Sequence, residues 1–369
     1  MKKSIAYLAV AVLFGLSVFQ SPVFATTGSS LYYSAWMPYW NKSSIIQDLT
    51  KNITKFSEIS PFAYDVNGDG SLKDDVNILQ GSWLNWVTAV SQLNVKVIPT
   101  VNWADGGQIY SLLSSPTSTK THIATLVALA NTAPYSGVNI DYEDKTASTE
   151  PFFSSFIESL SKALHADKKT LVCSIEARTP LSSRFAVVPS GIQYANDYAV
   201  INKYCDEVDI LAYDQDNVDI KLNASKGSNG QLYMPVADSD WVIKVIQETA
   251  ATIKPGKIVL GIPTYGYEYQ VTISGGQVTY NRLTSISYAD AMALAKSVNV
   301  TPNRNSAGEL SFTYGVATTG TSTSEKFVDF TDATSINQKI QLAKKYKLKG
   351  AILFSLNPGN DPAIWGMLK

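Results

Sequence analysis

Apolar and polar positions along this chain alternate between two rhythms. Runs rich in Val, Ile, Leu, Tyr and Trp, of strand length, stand at 31–40, 55–66, 95–103, 136–144, 170–178, 207–214, 257–267 and 350–355. Between them lie segments with a helical period: one carrying Trp83, Trp86 and Val87 on one side, then 121–131, 151–165, 194–204, 239–253 and 335–346. Near-continuous apolar strands that alternate with helices are the pattern of a parallel sheet covered on its outer face. Eight such strands, each followed by a helical stretch, predict a TIM (β/α)8 barrel, whose chemistry belongs at the C-terminal strand ends.

One connection breaks the rhythm. Residues 268–333 are too many for a simple strand-to-helix link. They hold extended runs at 271–280, 310–314 and 326–330, a Gly275-Gly276 hairpin signal and a helical segment at 288–298. A small α+β insertion between the seventh and eighth strands is therefore expected. No internal repeat, low-complexity linker or separate binding module is visible.

The fourth run departs from pure apolarity. In Gly137-Val138-Asn139-Ile140-Asp141-Tyr142-Glu143, the polar residues Asn139, Asp141 and Glu143 fall on one face and the apolar ones on the other. Successive same-face residues on a strand are roughly 6.5 Å apart, so each carboxylate feels its neighbour's charge. Like charges disfavour joint ionisation, which lets one carboxyl keep its proton near neutral pH and act as a general acid. Glu143, last on the strand, is the better placed donor, and Asp141 the better orienting group. Acidic residues at a strand exit are often helix caps or solvated charges. Here a third polar residue in the same row argues for a satisfied network.

Charge narrows the partners. With 30 Lys+Arg against 31 Asp+Glu the chain is almost neutral, so no electrostatic case exists for nucleic acid or an anionic membrane. Residues 1–25 read as a secretory signal: Lys2 and Lys3, an apolar run at 5–19, and Val23-Phe24-Ala25 before the expected cut. A soluble, exported, monomeric mature protein is expected. Cys173 and Cys205 are expected to be buried free thiols, a cross-strand bond being the alternative. His122 and His165 lie on helical patterns and offer no base or metal cluster, so neither metal nor cofactor is expected.

The stretch 136–143 resembles the DxxDxDxE signature of glycoside hydrolase family 18, the chitinase-like family, with Asp141 and Glu143 at its last two acidic positions and Ser136 and Asn139 at the first two. Leu211-Ala212-Tyr213-Asp214 resembles the family's MxYD segment on the sixth strand, and 330–365 is similar to its C-terminal pattern. The resemblance implies a TIM barrel with the α+β insertion and a substrate-assisted reaction, in which the sugar's N-acetyl oxygen takes the place of a protein nucleophile. Glu143 would then be the acid and Asp141 the acceptor of the acetamido N–H. Tyr213 would donate to the acetamide oxygen, and Asp214 would bond near Glu143 or the sugar. Asn139, Trp40, Trp103, Tyr265 and Phe354 are the candidate substrate-binding residues, Phe354 standing where the family usually has Trp. Thr100 stands where the family often has a Ser bonded to the inner acidic residues. The implied partner is a polysaccharide containing β-1,4-linked N-acetylglucosamine, chitin or peptidoglycan. Asn for Asp at 139 resembles branches acting on peptidoglycan, spore cortex or N-glycan cores. A catalytically silent lectin on the same barrel is the alternative, and an unrelated barrel hydrolase using Asp214 as second carboxylate is a third.

Overall fold

The computed structural model describes residues 31–38, 44–227 and 231–368. The leader sequence and Trp40 lie outside these residues. Eight parallel strands close on themselves in the order Tyr32–Pro38, Glu58–Val66, Thr100–Trp103, Gly137–Tyr142, Thr170–Glu176, Glu207–Leu211, Ile258–Pro263 and Gly350–Phe354. The third continues a short piece, Lys96–Val97, that pairs with the second. Closure is made by the first strand, which pairs with both the second and the eighth. The barrel expected from the alternation of rhythms is the one observed.

The outward residues of the strands meet the helices. On the fourth strand Val138, Ile140 and Tyr142 are fully buried in the outer core with Phe153, Phe156 and Ile157 of the helix Glu150–Ala166. Burying an aliphatic side chain of this size contributes about 1.5–3 kcal/mol, so strand parity is strongly enforced. Among the described residues, no helix is long and apolar enough to cross a membrane.

The inward residues are unusually polar. At the N-terminal end, Glu58 and Glu207, both fully buried, are met by Tyr32 and Lys349. The Tyr32 hydroxyl donates to Glu58 Oε2 at 2.7 Å, and the Lys349 ammonium pairs with Glu207 and lies 4.6 Å above the Tyr32 ring. One layer up, Asn139 Nδ2 donates to Asp209 Oδ2 at 3.1 Å and its Oδ1 accepts from Ser174 Oγ at 3.0 Å. The aromatic and aliphatic side chains of Trp36, Leu211, Val259 and Ile352 close the interior toward the C-terminal mouth.

The seventh strand ends earlier than its apolar run. Ile258–Pro263 stays in the barrel, while Tyr265–Ser274 leaves it to form a second sheet with Gln277–Ser287, Ser322–Phe330, Leu310–Thr319 and the two-residue Asn303–Arg304, all antiparallel. Gly275 and Gly276 both take positive φ at the hairpin turn, the conformation this turn requires. The helix Tyr288–Ser297 packs on this sheet through Ala291 and Ala295.

The cysteines correct the expectation of free thiols: Cys173 and Cys205 form a disulfide, their Cα atoms 6.1 Å apart. The register explains it. The chain is already laddered to the fifth strand before the sixth begins, with Asp206 N–H donating to Leu171 O, and this brings Cys205 alongside Cys173 at bridging distance.

Candidate active site

The polar row of the fourth strand points into the barrel as its parity requires. Asp141 is level with Asn102 of the third strand, and the Glu143 N–H still donates to Trp103 O at 2.9 Å, so the ladder holds both carboxylates at the mouth. Asp144 then turns the chain away with φ +56°, a conformation Asp tolerates better than most residues.

Both carboxylates line a cavity of about 640 Å³. Trp36, Phe62, Leu211 and Phe354 form its apolar side, with Tyr213 and Asp214 beside them, and Lys145, Glu176, Arg178 and Arg184 line the opposite flank. Asp141 is only 4% exposed and its Oδ1 has no hydrogen-bond partner. Burial, then the charge of Glu143, holds the Asp141 carboxyl well above the usual carboxylate range, with Lys145 opposing. Burial likewise raises Glu143, to about 6; Glu176, Asp144 and Asp214 add to the rise and Lys145 opposes it. A carboxyl poised there can give up a proton and take one back near neutral pH.

Tyr213 belongs to the same cavity. Its ring stacks on Phe354, centroids 5.1 Å apart and planes 9° from parallel, while Phe354 meets Trp36 edge-on at 5.6 Å. Gly261 makes this possible: a Cβ there would sit 3.0 Å from Tyr213 Cε1 and 2.4 Å from Ile210 O. Burial first, then the charges of Asp141 and Glu143, keeps the phenol protonated and so a donor. Asp214, at φ +54°, accepts from the hydroxyls of Tyr265 and Tyr267 through Oδ1, each at 2.7 Å. Those tyrosines come from the first strand of the insertion, whose hairpin also supplies Arg282, bonded to Asp216 at 2.5 Å and lying over the Tyr267 ring at 3.8 Å.

The structure thus brings Asp141, Glu143, Tyr213, Asp214 and Phe354 together. Three other candidates move. Asn139 lies a layer below the cavity, bonded to Asp209 and Ser174 and fully buried. Trp103 faces the helices, edge-on to Tyr142 at 5.5 Å and against His122, because it is an odd number of residues from the inward-facing Thr100. Tyr265 stands behind the wall, edge-on to Phe354 and bonded to Asp214. Thr100 bonds Ser60 Oγ at 2.7 Å, its neighbour on the second strand. Sequence reading missed Trp36, Lys145, Glu176 and Arg178. Trp36 was accessible through parity, being two residues before Pro38 at the mouth of the first strand; the others converge from different segments and leave no local signature. Among the described residues, no group of three His, Cys, Asp or Glu side chains is arranged to hold a metal ion.

Comparison with known proteins agrees with this geometry. The sequence profile described as Glycosyl hydrolases family 18 matches residues 29–359. An uncharacterized glycosylase, YvbX, of Bacillus subtilis (strain 168) is 26% identical over 258 residues, 70% of this chain and 67% of its own length. A chitinase from Chromobacterium violaceum superposes with a TM-score of 0.70 at 20% identity, covering 92% of this chain and 98% of that one. The spore cortex-lytic enzyme SleL of Bacillus megaterium does so with a TM-score of 0.69 at 20% identity, over 92% and 73%. With the family profile spanning nearly all the described residues and an acid-bearing fourth strand at the mouth of its barrel, the chain belongs to glycosyl hydrolases family 18 and is a glycoside hydrolase.

Proposed function

We propose that the protein is an exported, monomeric, retaining hydrolase of polysaccharides containing β-1,4-linked N-acetylglucosamine, working by substrate assistance. Glu143 donates its proton to the glycosidic oxygen while the sugar's own N-acetyl oxygen attacks the anomeric carbon. Asp141 accepts the acetamido N–H and steadies the positive charge that develops on that group, and the Tyr213 hydroxyl donates to the acetamide oxygen. Glu143 then takes a proton from the water that opens the intermediate. The observation that carries this reading is the convergence of Asp141, Glu143 and Tyr213 on one cavity, with Glu143 raised to about 6 by burial first of all. The aromatic side of the cavity suits the apolar face of a pyranose. A disulfide and the leader-like residues 1–25 support export to an oxidising compartment. Two structural neighbours, a chitinase and a spore cortex-lytic enzyme, support chitin and peptidoglycan as the substrates to test.

The test is product analysis on N-acetylglucosamine oligomers and on purified peptidoglycan, with the first product's anomeric configuration followed by NMR. Cleavage with retention is expected, and Glu143→Gln should lower kcat by about 10²–10⁴-fold with its unfolding temperature equal or raised. Parental rates in Glu143→Gln sink the assignment of the acid. Binding of the oligomers without cleavage by the parent replaces the hydrolase with a lectin.

A further inference from the structure

Lys145 follows Glu143 by two residues, beyond the turn at Asp144, and its side chain is fully buried in the flank of the cavity. The ammonium has no hydrogen-bond partner; it lies 3.7 Å from Glu176 Oε1 and 4.7 Å from the centre of the Phe153 ring. A buried ammonium left without hydrogen bonds is costly unless charge compensates it. Compensation comes from the carboxylates beside it: burial pushes Lys145 down from the ordinary lysine range, while Glu176, Asp141 and Glu143 pull it back up. Glu176 is itself held, accepting from Asn196 Nδ2 at 2.5 Å.

The charged and titratable groups around Glu143 are few enough to sort by element. From its own strand and turn come Asp141, Asp144 and Lys145; from the fifth strand, Glu176; from the sixth, Tyr213 and Asp214. Arg178, next along the flank, engages elsewhere, sandwiched by the Tyr194 and Tyr198 rings at 3.6 and 3.9 Å and donating to Asn196 O. Arg184 is exposed at the rim. The first, second and eighth strands present Trp36, Phe62 and Phe354, which carry no charge.

We propose that Lys145 and Glu176 are positioning residues for the acid: their opposed charges balance its protonated and ionised forms, and Lys145 stabilises the carboxylate left when the proton passes to the glycosidic oxygen. This rests on the reading of Glu143 as the acid. In the first half-reaction the proton leaves with the departing sugar and its bonding electron pair stays on Glu143, where Lys145 favours it. In the second, a water oxygen bonds the anomeric carbon as the bond from that carbon to the acetamide oxygen breaks, and Glu143 takes the water's proton, which Glu176 favours. An acid that must later serve as a base works best near its midpoint, and on top of burial the Lys145 cation and the Glu176 carboxylate, the two largest charges acting on Glu143, adjust it in opposite directions.

The measurement is the pH dependence of kcat/KM on N-acetylglucosamine tetramer for the parent, Lys145→Met, Lys145→Arg and Glu176→Gln, beside a substrate-free ¹³C NMR titration of the Glu143 carboxyl. Removing the cation should move the alkaline limb up by about one pH unit and removing the carboxylate should move it down by about one, with Lys145→Arg at the parental position. The NMR midpoints should move the same way. Limbs and midpoints that stay in place, or that move in one common direction, overturn the proposal. If Lys145→Met does not fold, Glu176→Gln decides alone, since its side chain is 41% exposed and tolerates the change. A parent without turnover sinks the functional reading instead, while the NMR titration still decides this one.

Discussion

The two ends of the barrel hold similar groups and do different things with them. At the N-terminal floor, Glu58, Glu207 and Asp209 face Lys349; at the C-terminal mouth, Asp141, Glu143 and Glu176 face Lys145. Each set gathers carboxylates around a lysine, and at the mouth Asp144 and Asp214 add to the negative charge. On the floor the carboxylates are fully buried, and although Tyr32, Asn139 and Lys349 engage them, Glu58 Oε1, Glu207 Oε1 and Asp209 Oδ1 are left without hydrogen-bond partners. At the mouth the Lys145 ammonium and Asp141 Oδ1 are likewise without hydrogen-bond partners, but the set opens on a cavity. A cluster of charges is therefore no sign of chemistry by itself. Unpartnered polar atoms occur in both sets, so a space large enough for a substrate beside the charges is what separates a reactive set from a structural one.

Substitutions that exchange the two behaviours test this contrast. The largest effect is expected from Lys349→Met, which leaves Glu207 buried without its cation. Denaturant unfolding should show a loss of about 3 kcal/mol, with the pH profile of any activity unmoved; a shifted profile would join floor to mouth. Next comes Asp141→Asn, expected to lower kcat by about 10²-fold while leaving stability at pH 7 equal or raised by about 1 kcal/mol. The sign follows from burial: the folded Asp141 carboxyl titrates above its ordinary 3.8, so its contribution to stability is present at low pH and lost as pH rises through the folded value. Asn stays neutral throughout and removes that loss. Undiminished turnover in Asp141→Asn would make the mouth no different from the floor. The smallest effect belongs to Glu58→Gln. Glu58 is also raised, by burial and then by Glu207, so the parent should lose stability relative to the variant as pH rises above 4.5, by about 1 kcal/mol, with turnover the same in both. A stability gap that is flat with pH would mean Glu58 is ionised in the folded protein.

Much of this was legible in the sequence because parity carries information along a strand. Val138, Ile140 and Tyr142 had to face the helices once Asn139 and Asp141 faced the axis, and the insertion announced itself by its length and its Gly275-Gly276 turn. Trp103 shows the same rule neglected: three residues from Thr100, it could only point outward. Phe354 and Tyr213 could be placed at strand ends, but not the face-to-face stack between them, which depends on Gly261 leaving room. Lys145 and Glu176 were out of reach for a different reason. Lys145 follows the turn after the fourth strand and Glu176 ends the fifth, and only the pairing of those two strands makes them neighbours. The disulfide was misjudged on similar grounds, since composition says nothing about the stagger that sets Cys205 beside Cys173.

That bond has one more consequence. Cys173 and Cys205 are 32 positions apart, and the loop they close contains Glu176, Arg178, Arg184, Tyr194 and Asn196, most of one flank of the cavity. The same loop exposes Val187, 85% accessible, on a stretch without helix or strand where a protease finds easy purchase. A chain nicked there stays in one covalent piece. On a denaturing gel such a cut stays invisible until a reductant is added, because the bond joins the two pieces across it.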